Sequence, residues 1–162
     1  MKKGIFLVAL LSVLFMATSA LNEKRFDVTL SSFAPIETVE NEYSKYTIGG
    51  VTGRYTLVTF WDSSDAESRQ QVNEYAAMMH KNQMLKNNID FVGINFDEEK
   101  IVFDEIADND NLNVESQYHV EGAQARDIIN SYRLENGYGS VLLGPHGDVV
   151  AYNPDLETLA TL

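Results

Sequence analysis

Two apolar runs separated by an amphipathic stretch constrain this chain more than any other feature. Tyr55-Thr56-Leu57-Val58-Thr59-Phe60-Trp61 is mostly β-branched and aromatic, and Ile89 to Phe96 (IDFVGINF) has the same character. Near-continuous apolarity over a short run suits a strand covered on both faces, as in a sheet with helices on each side. Between the runs, Val72, Tyr75, Ala76 and Met79 recur at the spacing of one helical stripe. Strand, helix, strand predicts a right-handed crossover whose two strands are parallel.

The flanking segments extend that unit. Ser64, with Glu67 three residues on, reads as a capping box that starts the helix, and Asn87-Asn88 reads as its end. Glu98 to Asp108 reads as a second helix with Ile101, Val102 and Ile106 turned inward. Its acidic start, Asp97-Glu98-Glu99, complements the helix dipole. Ala125, Ile128, Ile129 and Tyr132 form a third helical stripe. Ser140 to Leu143 and Asp148 to Tyr152 flank Gly144-Pro145-His146-Gly147, a hairpin with a turn-forming centre. Leu156, Leu159 and Leu162 suggest a short last helix, with Pro154 at its first turn. Ahead of the core unit, Phe26 to Leu30 alternates like a strand, and Tyr43 to Ile48 reads as another before the turn Gly49-Gly50. The whole is an α/β order with a mixed sheet.

Residues 1–20 stand apart. Lys2 and Lys3, an apolar run from Ile5 to Met16, and the small residues Ala17 to Ala20 describe a secretory signal peptide. The run falls short of the ~20 residues that cross a bilayer as a helix. The expectation is therefore a signal peptide at 1–20, a single domain at 21–162 and a periplasmic or extracellular location. No membrane span is expected in the mature chain. Lys and Arg number 12 against 24 Asp and Glu, a net charge of −12 that repels phosphate backbones, so no nucleic-acid partner is expected. The chain has no cysteine. That removes disulfide staples, thiolate metal sites and every thiol mechanism together.

Leu57-Val58-Thr59-Phe60-Trp61-Asp62-Ser63-Ser64-Asp65-Ala66-Glu67-Ser68-Arg69 resembles the active-site segment of exported thioredoxin-like proteins of the TlpA/ResA and AhpC/TSA-like (redoxin) group. That pattern runs apolar strand, Phe-Trp, three residues, Cys-x-x-Cys, Arg. Trp61 and Arg69 fall at the matching places, whereas the cysteine positions hold Asp65 and Ser68, bracketing Ala66 and Glu67. Phe91 to Asp97 matches the group's second core strand, and Val141 to Ala151 its β-hairpin. The resemblance spans roughly 31–162 and implies a thioredoxin-like three-layer α/β/α sandwich around a central mixed β-sheet. The group's cis-proline is also missing, since Tyr138 or Gly139 occupies its region, and a trans peptide is expected there.

In the group, the first cysteine sits at a helix N-terminus, where unpaired N–H groups and the dipole stabilise its thiolate. A carboxylate suits the same niche, so Asp65 and Ser64 are expected as cap and first-turn residues. Neither Asp65 nor Ser68 can exchange a disulfide. The resemblance thus implies no catalytic residues, no cofactor and no resident metal. The expected role is that of an exported, redox-inactive binding or accessory module, taking an envelope protein or peptide at the former active-site surface. The alternative is a component of a thiol-disulfide oxidoreductase or peroxidase system in which a partner supplies the cysteine.

Two further constellations come into question. Ser63, Ser64 and Ser68 invite a serine–histidine arrangement, but His80 lies roughly four turns along the same helix, and His146 lies in the hairpin turn. Only His119 is left unplaced, and no G-x-S-x-G turn exists. Asp108 to Asn113 has the oxygen side chains of a calcium loop at its first and third positions. Leu112 at the fifth is expected to plug the core instead.

Overall fold

The computed structural model describes residues 32–162. The expected signal peptide at 1–20 and the expected strand Phe26 to Leu30 lie outside the described residues. Strand β1 (Glu37–Glu40) and β2 (Lys45–Ile48) form an antiparallel pair. They precede β3 (Tyr55–Trp61), helix α1 (Ala66–Lys81), α2 (Gln83–Asn88) and β4 (Ile89–Asn95). Then come α3 (Lys100–Asn109), β5 (Gln117–His119), α4 (Gly122–Tyr132), β6 (Ser140–Leu143), β7 (Val149–Tyr152) and α5 (Leu156–Ala160).

The main sheet has five strands in the order β5-β4-β3-β6-β7. β3 is parallel to β4, with Tyr55 opposite Ile89 and Trp61 opposite Asn95, while β6 and β7 are antiparallel to their neighbours. The mixed sheet and the parallel central pair are as the sequence implied. Both faces of β3 are buried because successive side chains alternate between two cores. Val58 and Phe60 meet Ile128 and Tyr132 of α4, together with Val39 and Ile48 of the β1–β2 pair. Leu57 meets Tyr75, Met79, Leu85 and Leu159 on the other face, and Trp61 meets Val72, Phe103 and Leu112. Among the described residues no helix is long and apolar enough to cross a membrane.

Several local expectations shift. The helix expected to run to Asn88 breaks at Asn82, whose N–H still bonds to the Met78 carbonyl while its side chain accepts from Met84 N and Leu85 N. One residue thus ends α1 and caps α2, as asparagine side chains do well. Ile101 and Val102 are not the inner face of α3. They are 65% and 41% exposed, whereas Phe103 and Ala107 are buried. The helix starts two residues later than expected, at Lys100, and Phe103, Ile106 and Ala107 make the inward stripe by i, i+3, i+4 spacing. Pro154 precedes the first turn rather than occupying it, because Asp155 is the cap of α5.

Asp108 to Asn113 is a helix stop. Asn111 adopts a left-handed φ of 55°, Leu112 N bonds to Ala107 O, and Asn111 N bonds to Asp108 O. These are the paired bonds of a Schellman motif, with buried Leu112 making its hydrophobic contact. Leu112 therefore plugs the core as expected.

Candidate functional site

The loop from the end of β3 to α1 is ordered by two aspartates, Asp62 and Asp65, the second of them at the first cysteine-equivalent position. Asp62 accepts from Ser64 N at 2.8 Å and Ser64 Oγ at 2.6 Å. Ser64 is therefore a loop residue and not the cap. The cap is Asp65, whose Oδ1 accepts from Glu67 N at 3.1 Å and Ser68 N at 3.2 Å. A carboxylate reaches both otherwise unpaired donors of the first turn, so the helix starts one residue later than the Ser64 reading expects. Ala66 and Glu67 follow as the first two helical residues. Ser68 is 2% exposed, and its hydroxyl donates to Asp65 O while accepting from Asp62 N.

This geometry separates two neighbouring substitutions. Asp65→Ala is expected to cost about 1 kcal/mol in urea unfolding, through loss of the cap. Ser64→Ala should cost less, since Ser64 lies outside the helix and is exposed. Equal losses would place the helix start elsewhere.

Arg69 and Trp61 are held by residues that the sequence did not assign to them. Arg69 donates from Nε and Nη2 to both carboxylate oxygens of Asp110 at 2.8 and 2.7 Å, and Asn73 adds a third bond. The Arg69 guanidinium, and then Asn73, hold the Asp110 carboxyl below its ordinary range against the opposing effect of burial. A depressed folded-state pKa gives stability that is complete above the ordinary carboxylate value near ~3.9 and lost as pH falls through the folded value. Asp110→Asn should therefore flatten the acid limb of the stability curve below about pH 4. Above that pH it should cost about 1 kcal/mol, because Arg69 is 35% exposed and the pair is partly screened. An unchanged acid limb in chemical unfolding at pH 3–5 would refute the assignment.

Trp61 Nε1 donates to Gln117 Oε1 at 3.1 Å, with both residues buried. The Gln117 amide lies directly on Gly93, where an added Cβ would stand 2.0 Å from Oε1. A Cβ at position 93 would thus displace the Gln117 amide that Trp61 bonds to, a close approach of the kind that a glycine inside a strand signals. That was the one sequence clue to this contact.

Asp97, expected as a helix-dipole acid, instead latches the loop. Its Oδ1 accepts from Ser63 N at 2.8 Å and Ser63 Oγ at 2.6 Å, and its Oδ2 accepts from Asn95 Nδ2 at 3.0 Å. His119 comes close, with Nε2 2.8 Å from the Asp97 backbone oxygen and its ring stacked on Phe103. It meets a carbonyl and not a serine, so Ser63, Ser64 and Ser68 gain no contact with a histidine base. His80 is exposed far along α1, and His146 is in the hairpin turn. Among the described residues no cluster of His, Asp or Glu could hold a metal.

The cis-proline region faces this loop. Tyr138 stacks on Phe96 at 5.1 Å, and Gly139 O accepts from Phe60 N at 2.9 Å. No peptide bond among the described residues is cis. Burial, then the carboxylates of Asp62, Asp65 and Asp97, raise the Tyr138 phenol above its ordinary pKa. The surface at the start of α1 is therefore anionic, with an aromatic ring at its margin. Beside it, Ser63, Ser64, Ala66 and Gln70 line a shallow recess of about 320 Å³ walled by Arg69 and Asp110.

A central mixed sheet between helices, with the β3–α1 loop facing the segment before β6, is the thioredoxin-like α/β fold. A thioredoxin-like protein from Parabacteroides distasonis superposes with a TM-score of 0.69 at 28% identity, covering 83% of this chain and 93% of that one. The thioredoxin domain of a thiol-disulfide oxidoreductase from Bacteroides vulgatus gives 0.67 at 17% identity, covering 83% and 95%. A thiol:disulfide interchange protein from a Bacteroides species gives 0.69 at 18% identity, covering 83% and 87%. No family model matches the chain, and no curated protein does. The fold is shared with thiol-disulfide oxidoreductases; the cysteines are not, since the sequence has none.

Proposed function

We propose that this chain is an exported, redox-inactive thioredoxin-like protein that binds a protein or peptide segment at the surface formed by Asp65, Tyr138 and the β3–α1 loop. One observation carries the reading. The two N–H groups at the start of α1, which would stabilise an attacking thiolate in a thiol-disulfide oxidoreductase, are taken by the Asp65 carboxylate. Without a thiolate there is no mixed-disulfide step, so the surface is left to hold a partner without exchanging a bond with it. The carboxylates of Asp62, Asp65 and Asp97 favour a neutral or basic segment over an acidic one.

The test is photo-cross-linking in the envelope of the source cells. A photoreactive phenylalanine at Gln70, exposed beside the recess, should capture a discrete partner that the same group at Glu157, exposed on α5, does not. Equal capture from both positions, or none from Gln70, would sink the proposal.

A further inference from the structure

Strand β5 covers only half of β4. Gln117, Tyr118 and His119 pair with Gly93, Ile94 and Asn95, whereas Ile89 to Val92 pair with β3 on one side and with no strand on the other. Upstream of Gln117 the chain turns aside into the 3-10 turn Val114–Ser116. The space left is a cleft of about 750 Å³. Ala76, Met79 and Phe91 line it from one face of the sheet, and Tyr46, Val92 and Tyr118 from the other. A cavity can touch both faces only where the edge between them is uncovered.

The backbone of that edge is free to pair. Asn95 O accepts from Val120 N on the β5 side, whereas Phe96 N donates to Trp61 O on the β3 side. Peptide groups alternate direction along a strand, so those of Gly93 and Phe91 face the same way as Asn95, toward the cleft. Ile89 N–H is already bonded to Leu85 O, which leaves the Ile89 C=O and the Phe91 N–H and C=O as the edge groups beyond the end of β5. An unpaired edge of this kind is a template for another strand.

The charges at the rim indicate what fits. Asp90 and Asp110 line the cleft, but their carboxylates are engaged by Arg54 and Arg69. Lys81 and Lys86 stand on the helical wall, opposed only by Glu115 on the far wall. In a chain of net charge −12 this is a locally cationic margin. We infer that the cleft takes an extended peptide segment of a partner protein, added as a strand along Ile89 to Val92, with an acidic side chain directed to Lys81 and Lys86. Four residues at ~3.3 Å each give a docking length of about 13 Å. The inference is independent of the surface at Asp65, which is anionic and disfavours the same segment.

Isotope-labelled protein titrated with synthetic heptapeptides of alternating valine and threonine, one carrying two glutamates and one two lysines, tests it. The glutamate peptide should slow amide exchange at Phe91 at least tenfold and shift the Gly93 and Ala76 resonances. A proline-substituted version should do neither. The double variant Lys81→Glu, Lys86→Glu, at two exposed positions, should weaken the glutamate peptide at least tenfold and favour the lysine one. No slowing at Phe91 up to millimolar peptide would overturn the proposal, as would shifts gathered at Asp65, Ser68 and Tyr138. Slow Phe91 exchange before any peptide is added, together with a doubled mass in solution, would mean that a second copy fills the edge, and would also overturn it.

Discussion

Gly147→Ala will destabilise the domain by about 3 kcal/mol or more, through strain and collision together. Gly147 has φ +82°, a region that costs an alanine roughly 1 kcal/mol. Its added Cβ would stand 2.3 Å from the backbone oxygen of Gly49. No side chain can rotate to relieve that contact. The β6–β7 turn would have to lift off the Gly49-Gly50 turn, which would also pull Gly147 O from Ala34 N, now 2.9 Å apart. Gly53→Ala is the control, because Gly53 has φ +75° but nothing within 4 Å of its added Cβ. It should cost only the strain, about 1 kcal/mol. Urea midpoints decide the matter. Similar losses for the two variants would mean that the turns do not pack as described.

The same two turns show how far the sequence could be read. Gly49-Gly50 and Gly144-Pro145-His146-Gly147 were legible as turns because glycine and proline act locally. That the turns pack on one another was not legible, since the reason is a backbone contact between residues nearly a hundred positions apart. The core strands were legible because β3 and β4 are buried on both faces and carry an unmistakable apolar run. β1 was missed because ETVE hides only Val39, and β5 because it contributes only three residues, Gln117–His119.

At the site, the resemblance implied the register from Trp61 to Arg69, and the structure has Asp65 as the cap of α1. What could not be read was the supporting shell. Asp97, Asp110 and Gln117 hold Ser63, Arg69 and Trp61, and each comes from a different element. An aspartate that opens a helix in sequence and one that latches a loop in space look alike until the sheet brings β3 and β4 together. The cap was misplaced by one residue for a related reason. Serine and aspartate both cap well, and only the capture of Ser64 by Asp62 decides between Ser64 and Asp65.

Asp65→Cys together with Ser68→Cys should give this cysteine-free chain a measurable disulfide-reducing activity. The parent protein is expected not to accelerate dithiothreitol reduction of insulin above a buffer blank, because no residue can form the mixed disulfide. A cysteine at 65 would inherit the N–H groups of Glu67 and Ser68 that now serve the carboxylate. Its thiol should then titrate below the ~8.5 of a free cysteine, read from the pH dependence of iodoacetamide labelling. Asp62 and Asp97 oppose a second negative charge, so the depression should be smaller than at an uncharged helix start. A cysteine at 68 would lie one helical turn on and buried, where Ser68 Oγ already reaches back to Asp65 O at 3.2 Å. That is the placement a resolving thiol needs: shielded from solvent and within reach of the attacking one. Tyr138 stacks on Phe96 where a cis-proline would be expected, so turnover should improve further on Tyr138→Ala if the ring hinders access to insulin. The single variant tests the niche and the double variant tests the chemistry. A thiol at 65 that titrates at or above the free value would mean that the helix start does not act on it. The likeness to thiol-disulfide oxidoreductases would then end at the core strands.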